Sequence, residues 1–143
     1  MKPDDLFLQN LPKLVKEGPP PPPEKPSFSE EELVKGVALM ADIERAGYAQ
    51  EAVNILLELP EFPSFQKMLD LGGGPGLIGM AIVDAHPKMK GVIFDLLPVV
   101  KETKKFIKEY EMEDRMEVLG GDFNHDSIGE GYDLVWASGV LQF

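Results

Sequence analysis

The sequence predicts an α/β fold in which parallel strands alternate with helices. Four short apolar stretches carry strand patterns: Lys67 to Leu71, Gly91 to Asp95, Met116 to Leu119 and Tyr132 to Ala137. Helical patterns from Pro75 to Ala85 and from Pro98 to about Tyr110 separate the first three of these strands. Strands that are joined through helices form a parallel sheet with right-handed crossovers. The order of elements therefore predicts a Rossmann-like parallel sheet.

The composition is that of one globular domain with an acidic surface. Of the 143 residues, 43% are hydrophobic and 27% are charged, and the formal net charge is -11. A net charge of this sign opposes a phosphate backbone, so we expect no nucleic-acid partner. No apolar run approaches the roughly 20 residues of a membrane helix, and the N-terminus lacks the pattern of a signal peptide. We therefore expect no membrane partner and a cytoplasmic location.

Metal and thiol chemistry is not expected. The chain has no cysteine, which excludes disulfides, thiolate metal sites and cysteine nucleophiles. Its two histidines, His86 and His125, are too few for a multi-histidine metal site. We therefore predict that the chain binds no metal.

The first 63 residues are predicted to form an arm and two helices. Residues 1–26 contain five consecutive prolines, which favour an extended spacer. Residues 27–63 form a helical segment, in which Ser29 and Glu32 make a capping box and Gly47 ends the first helix. A second helix is expected from about Tyr48 to Leu59. The stripes that are expected to pack against the following domain are Leu33, Val37, Met40, Ala41, Ala52, Ile55, Leu56 and Leu59.

A glycine-rich turn follows the first strand of the sheet domain, residues 64–143. Three glycines at 74, 76 and 79 satisfy the dinucleotide fingerprint G-x-G-x-x-G, and Asp95 follows at about the offset of a ribose-binding acid. Glycines at this point let a ligand approach the backbone, because no Cβ intervenes. A fingerprint of this kind fits either NAD or another nucleotide cofactor, and an NAD-dependent oxidoreductase is one alternative.

Three features favour S-adenosylmethionine over a dinucleotide. Asp70 lies at the end of the first strand, where it can face a cationic amino-acid group but matches a pyrophosphate poorly. Pro75 removes one N–H donor that a phosphate would use. Asp122 and Phe123 follow the third strand, where an acid and an aromatic ring can hold an adenine. The sequence therefore predicts an S-adenosylmethionine site.

Several motifs in order resemble the catalytic domain of small-molecule O-methyltransferases, the plant phenolic and acetylserotonin type with microbial relatives. The matching stretches are LDLGGGPG (69–76), HPKMKGVIFDLLPVV (86–100), EDRMEVLGGDF (113–123) and YDLVWASGVLQF (132–143). The resemblance implies a class I, S-adenosylmethionine-dependent enzyme. It implies that Gly72, Gly73, Gly74 and Gly76 wrap the methionine part. It also implies that Asp95 holds the ribose with Leu96 beside the adenine, that Asp122 accepts from the adenine amino group, and that Phe123 covers the ring.

The resemblance also implies parts that this chain does not show. The family's sheet has seven strands and its catalytic histidine follows the fourth, so the chain is expected to be the N-terminal, cofactor-binding part of a catalytic domain. Gln142 stands at the position of that histidine, and an amide is no useful base. Ser138 stands at the position that matches the family's lysine after the fourth strand, and we expect it to contribute to cofactor binding. Either methyl transfer to a small-molecule acceptor proceeds without that base, or the acceptor is not a phenol.

The apolar end of the chain predicts self-association. The fourth strand and its tail would leave an uncovered edge, and such edges recruit further strands. We expect a homodimer in which this edge pairs with a second copy or with the arm from Leu6 to Val15. A non-catalytic, self-associating remnant of a methyltransferase fold is therefore a further alternative.

Overall fold

A computed structural model of the chain describes residues 16–18 and 28–140. The expectations for the arm from Leu6 to Val15, for the five prolines and for Gln142 lie outside the described residues. The elements are α1 (Glu30–Ile43), α2 (Ala49–Leu57), β1 (Lys67–Leu71), α3 (Leu77–Ala85), β2 (Lys90–Asp95), α4 (Leu97–Glu109), β3 (Met116–Gly120) and β4 (Leu134–Trp136). A π-helical turn (Glu44–Tyr48) joins α1 to α2, and a short 3₁₀ turn (Phe62–Ser64) precedes β1.

The four strands form one parallel sheet in the order β3-β2-β1-β4. This arrangement confirms the predicted Rossmann-like α/β fold. Asp70, near the end of β1, lies opposite Ile93 of β2 and Trp136 of β4. The carboxyl ends of the strands therefore meet at one edge, which is where parallel sheets bind ligands.

The helices share one hydrophobic core with one face of the sheet. The core cluster joins Ala41 of α1, Leu56 of α2 and Ile82 of α3 to Met68 and Ile93 of the strands. The helical segment therefore packs against the sheet, as its apolar stripes predict. The opposite face of the sheet carries a smaller cluster, which the loop residues Phe123, Ile128 and Tyr132 cover in part.

Three residues expected in the core are exposed. Met40, Ile55 and Leu59 have 44%, 57% and 40% of their surface exposed, whereas Ala41 and Leu56 are buried. The buried stripe on each helix is narrower than predicted, because α1 packs mainly against α4 and α2 against α3, and each contact covers only one line of side chains. The predicted core was wrong at these three positions.

Several element boundaries also differ from those predicted. Ser29 and Glu32 form the predicted capping box, but α1 ends at Ile43 and the chain continues through the π-helical turn, with Gly47 at φ 140°. The third helix begins at Leu77 rather than Pro75, since Gly76 has a left-handed backbone. The fourth strand spans three residues. Asp133 precedes it, and its carboxylate accepts hydrogen bonds from the amides of Gln66 and Lys67 at the start of β1.

None of the helices that the structure describes is long and apolar enough to cross a membrane.

Candidate cofactor site

The glycine turn lies at the carboxyl end of β1 and hydrogen-bonds to the neighbouring strand. The amides of Gly72 and Gly73 donate to the Phe94 carbonyl, at 2.8 and 3.3 Å. The turn closes through a 2.8 Å bond from the Gly76 amide to the Gly73 carbonyl. Sequence reasoning placed this turn correctly between the first strand and the following helix.

Glycine is required in the turn for two physical reasons. Gly72, Gly74 and Gly76 have φ values of 68°, 53° and 80°, which L-residues with a Cβ rarely adopt. A Cβ on Gly73 would lie 2.8 Å from Cγ of Asp70 and 2.8 Å from Cγ2 of Ile93. The turn is therefore packed tightly around the Asp70 carboxyl group.

Asp70 is a buried acid at the base of the turn. Only 3% of its surface is exposed, and its Oδ2 accepts a 3.1 Å hydrogen bond from the Gly79 amide. Burial and, to a smaller extent, the nearby charge of Glu44 raise the pKa of Asp70 to about 7, although the Gly79 hydrogen bond opposes the shift. At neutral pH this carboxyl group is therefore only partly ionised.

Glu44 is a site residue that sequence reasoning missed. It is 5% exposed, and its Oε2 accepts hydrogen bonds from the amides of Leu77 and Ile78, at 3.0 and 3.2 Å. Burial raises the pKa of Glu44 to about 7 despite these two bonds. The sequence did indicate that Glu44 is buried, because Val37, Ala41 and Glu44 fall on one helical face at i, i+4 and i+7.

Asp95 connects the end of β2 to the glycine turn. Its Oδ2 accepts from the Gly74 amide at 2.8 Å and its Oδ1 from the Leu96 amide at 2.7 Å. Burial raises the pKa of Asp95, and the two amide hydrogen bonds oppose the shift. Each oxygen keeps acceptor capacity for a ligand hydroxyl, since an ionised carboxylate offers about four lone-pair sites.

Thr103 is a second residue that was missed. Its buried hydroxyl lies 2.6 Å from the Gly74 carbonyl and 3.0 Å from the Val99 carbonyl. It thereby ties the glycine turn to α4. Its spacing of four from both Val99 and Ile107 indicated a buried position in an apolar stripe.

A cleft of about 280 Å³ opens beside the turn. Its walls include the carboxyl-bearing residues Glu44 and Asp70, the glycines from Gly72 to Gly74, and Ser138 after β4. The structure thus brings Asp70, the glycine turn and Ser138 to one cleft. Asp95 does not line this cleft, but it contacts the turn through the hydrogen bond from the Gly74 amide.

The residues expected around an adenine lie at the ends of β2 and β3. Leu96 is 41% exposed, and the Gly121 amide donates to the Asp95 carbonyl at 3.0 Å, which joins the two segments. Phe123 packs against the smaller core cluster.

Asp122 contacts its own turn. Its Oδ1 accepts from the amide and side chain of Asn124, and its Oδ2 lies 2.9 Å from Nδ1 of His125. The Asn124 amide and His125 lower the pKa of Asp122. Only Oδ2 therefore retains clear capacity for another donor.

No group of three or more potential metal ligands occurs among the residues that the structure describes.

Sequence comparisons give the family of the chain. A family model described as an O-methyltransferase domain matches residues 36–142. An uncharacterised protein of Methanocaldococcus jannaschii is 38% identical over 104 residues, which make up 73% of this chain and 28% of that protein. The L-tyrosine C(3)-methyltransferase of Streptomyces lavendulae is 34% identical over 80 residues, 56% of this chain and 22% of the enzyme. The chain belongs to the O-methyltransferase family, because the family model matches most of its length.

Solved structures show the same fold. Human N-acetylserotonin methyltransferase in complex with SAM has a TM-score of 0.69 at 24% identity, over 98% of this chain and 41% of that chain. The mitomycin 7-O-methyltransferase has a TM-score of 0.67 at 24% identity, over 90% of this chain and 33% of that chain. The chain spans about a quarter of the length of the curated relatives described above.

Proposed function

We propose that this chain is the cofactor-binding part of an S-adenosylmethionine-dependent methyltransferase that methylates an oxygen of a small molecule. One observation carries the proposal. The carboxyl groups of Glu44 and Asp70 accept hydrogen bonds from the first amides of α3. They line a cleft beside the glycine turn, in which part of a nucleotide cofactor could bind. In this proposal the chain consists of an arm (1–26), a helical segment (27–63) and a sheet domain (64–143), and the sheet domain binds the cofactor.

The charges around the turn suit an S-adenosyl group better than a dinucleotide. Phosphates bind helix N-termini through free amides and a positive dipole end. At α3 the amides of Leu77, Ile78 and Gly79 already donate to carboxyl groups. A pyrophosphate placed there would meet two acids, whereas a cationic amino-acid group would be attracted. These two acids therefore disfavour NAD as the ligand.

Each candidate residue has a proposed role. The methionine part would lie along Gly72, Gly73, Gly74 and Gly76, with Asp70 and Ser138 at the cleft. Asp95 would accept from the ribose hydroxyls. For the adenine we propose contacts with Leu96, Asp122 and Phe123.

The chemistry of the bound group defines what the protein must do. When bound, S-adenosylmethionine would supply an electrophilic methyl carbon on a sulfonium, with the thioether of S-adenosylhomocysteine as the leaving group. The described residues would hold the cofactor in one orientation, which makes in-line attack productive. Gln142 stands at the position of the family's catalytic histidine, and neither a catalytic residue nor a general base is assigned.

Calorimetric titration with S-adenosylhomocysteine tests the cofactor assignment. We expect saturable binding that Asp95→Ala weakens by about tenfold or more, because hydrogen bonds to a charged group contribute about 1.5–3 kcal/mol each. NAD should give no binding heat. Asp114→Ala, which removes an exposed carboxylate from the loop before β3, is the matched control and should bind like the wild type.

The same titration can contradict the proposal in two ways. Binding of NAD without binding of S-adenosylhomocysteine would favour an oxidoreductase. Binding of neither ligand by folded protein would favour the non-catalytic, self-associating remnant. Equal loss of binding in Asp95→Ala and Asp114→Ala would contradict the assignment of Asp95 to the cofactor site.

We also propose a homodimer and a cytoplasmic location. In the described sheet β4 pairs with β1 alone, and Val135 on it is 52% exposed, which leaves an edge that a second copy or the N-terminal arm could join. A cytoplasmic location would give the enzyme access to a metabolic supply of its cofactor. Sedimentation velocity showing a monomer at all concentrations would contradict the dimer, and localisation of the tagged protein tests the compartment.

A further inference from the structure

The cleft beside the glycine turn holds two buried carboxyl groups and no described cation. Glu44 and Asp70 line it, and no lysine or arginine does so among the residues that the structure describes. Arg45, next in the chain, turns away, with its Nε 3.0 Å from the Tyr110 hydroxyl and its guanidinium over the Phe106 ring. Buried charges without a partner are costly, so the arrangement points to a cation supplied by a ligand.

Helix capping alone does not account for a charge at Glu44. One oxygen, Oε2, accepts both bonds from the start of α3. Among the described residues, the other oxygen, Oε1, accepts no hydrogen bond. A neutral amide could cap the two donors equally well, whereas burial of the carboxylate carries a desolvation cost.

We propose that Glu44, together with Asp70, binds the α-ammonium group of the methionine part of the cofactor. The inference rests on the proposed function and extends it to a residue outside the glycine turn. Of the two cationic centres of S-adenosylmethionine, the ammonium has three N–H donors and the sulfonium has none. Carboxylate oxygens that face a cleft therefore match the ammonium.

Two ligands that differ in the amino-acid group on the sulfur can show whether Glu44 binds the ammonium or only caps α3. S-adenosylhomocysteine contains the ammonium, whereas 5′-methylthioadenosine lacks the whole amino-acid group. We expect Glu44→Gln to weaken S-adenosylhomocysteine binding by about tenfold or more and to change 5′-methylthioadenosine binding by less than about twofold. Glu51→Gln, the same change at an exposed position of α2, should alter neither affinity.

The outcomes distinguish this inference from the proposed function. If Glu44→Gln weakens both ligands equally, or neither, the inference is overturned while the cofactor assignment stands. If the wild type binds neither ligand, the proposed function fails and the inference fails with it. Circular dichroism checks that each variant is folded.

A measurement on the wild type does not depend on the folding of any variant. The titratable groups that face the pair are Tyr48 from the π-helical turn and Asp95 from the end of β2. The described lining residues from α1, from α3 and from the segment after β4 do not titrate. If the ammonium displaces a proton from the pair, S-adenosylhomocysteine binding tightens by up to about tenfold from pH 6 to pH 8. Calorimetry in two buffers of different ionisation enthalpy would then show proton release. 5′-Methylthioadenosine binding that follows the same pH profile would overturn the inference.

Discussion

Two residues, Glu44 and Asp70, place carboxyl groups where the protein supplies little to stabilise their charge. Both are almost fully buried, and burial raises the pKa of each to about 7. Their ordinary values are 4.5 and 3.8. Between about pH 4 and pH 7 the folded state therefore binds more protons than the unfolded state. The stability that these residues contribute is greatest below pH 4 and is lost as the pH rises through 7.

This linkage predicts how Glu44→Gln changes the pH dependence of stability. The amide keeps an acceptor for the α3 donors but cannot ionise. We expect the variant and the wild type to have similar free energies of unfolding at pH 5. At pH 8 the variant should be more stable, by on the order of 1–3 kcal/mol. Urea unfolding at several pH values measures the difference, with Glu51→Gln as the control. A constant difference across this range would show that Glu44 keeps its ordinary pKa.

Single residues were the hardest part of the site to predict. Asp70 and Asp95 could be predicted because they adjoin local motifs, the glycine turn and a strand end. Glu44 reaches the site through the kink at Gly47, where φ is 140°, and through packing of the helical segment on α3. Thr103 contacts a carbonyl 29 residues away along the chain. Such contacts depend on tertiary structure, and the sequence showed only that both positions fall on buried stripes.

The glycine turn is the element whose backbone the site depends on. Gly76 has φ 80° immediately before α3, and a Cβ there would collide with the Ile93 side chain. Its amide closes the turn, and its carbonyl accepts the 2.9 Å hydrogen bond from the Met80 amide that begins the helix. A side chain at this position therefore opposes both the turn and the start of α3.

Gly76→Ala tests this dependence. We expect it to lower the free energy of unfolding by about 1–3 kcal/mol, from left-handed strain and the clash with Ile93. Gly36→Ala is the matched control, because Gly36 lies inside α1 with nothing within 4 Å of the added Cβ. That change should stabilise the protein by about 0.5–1 kcal/mol. Denaturant unfolding gives both values, and equal effects of the two substitutions would contradict the role of the turn.

Elements were easier to predict than their boundaries. The strands β1 and β2 and the helix α4 could be predicted because apolar patterns and Pro98 define them locally. Gly47 indicated a break between α1 and α2, and its φ of 140° agrees with one, but nothing in the sequence indicated that the chain stays helical there as a π-helical turn. The fourth strand begins at Leu134 rather than Tyr132. At Asp133 the carboxylate instead accepts hydrogen bonds from the amides of Gln66 and Lys67. These two amides lie 67 and 66 residues away from Asp133 along the chain, so local sequence could not indicate the contact.

At the scale of the whole molecule, the helical segment and the sheet form one packing unit. Leu56 of α2 is 2% exposed and belongs to the cluster that includes Met68 of β1, with Trp136 of β4 packed at its border. Glu44 hydrogen-bonds the same segment to α3 beside the cleft. Removal of apolar contacts between α2 and the core should therefore destabilise the sheet as well as the helices.

Leu56→Ala tests whether the two parts unfold together. We expect a loss of about 2–5 kcal/mol, the usual cost of a cavity in a core. The helical signal in circular dichroism and the fluorescence of Trp136, the only tryptophan of the chain, should shift to the same lower midpoint. Leu57→Ala removes the same atoms from a neighbouring position that is 61% exposed, and should change stability by less than about 0.5 kcal/mol. If the helical signal is lost while the Trp136 midpoint stays at the wild-type value, α2 is a separate unit. The position of Glu44 would then not depend on the packing of the sheet.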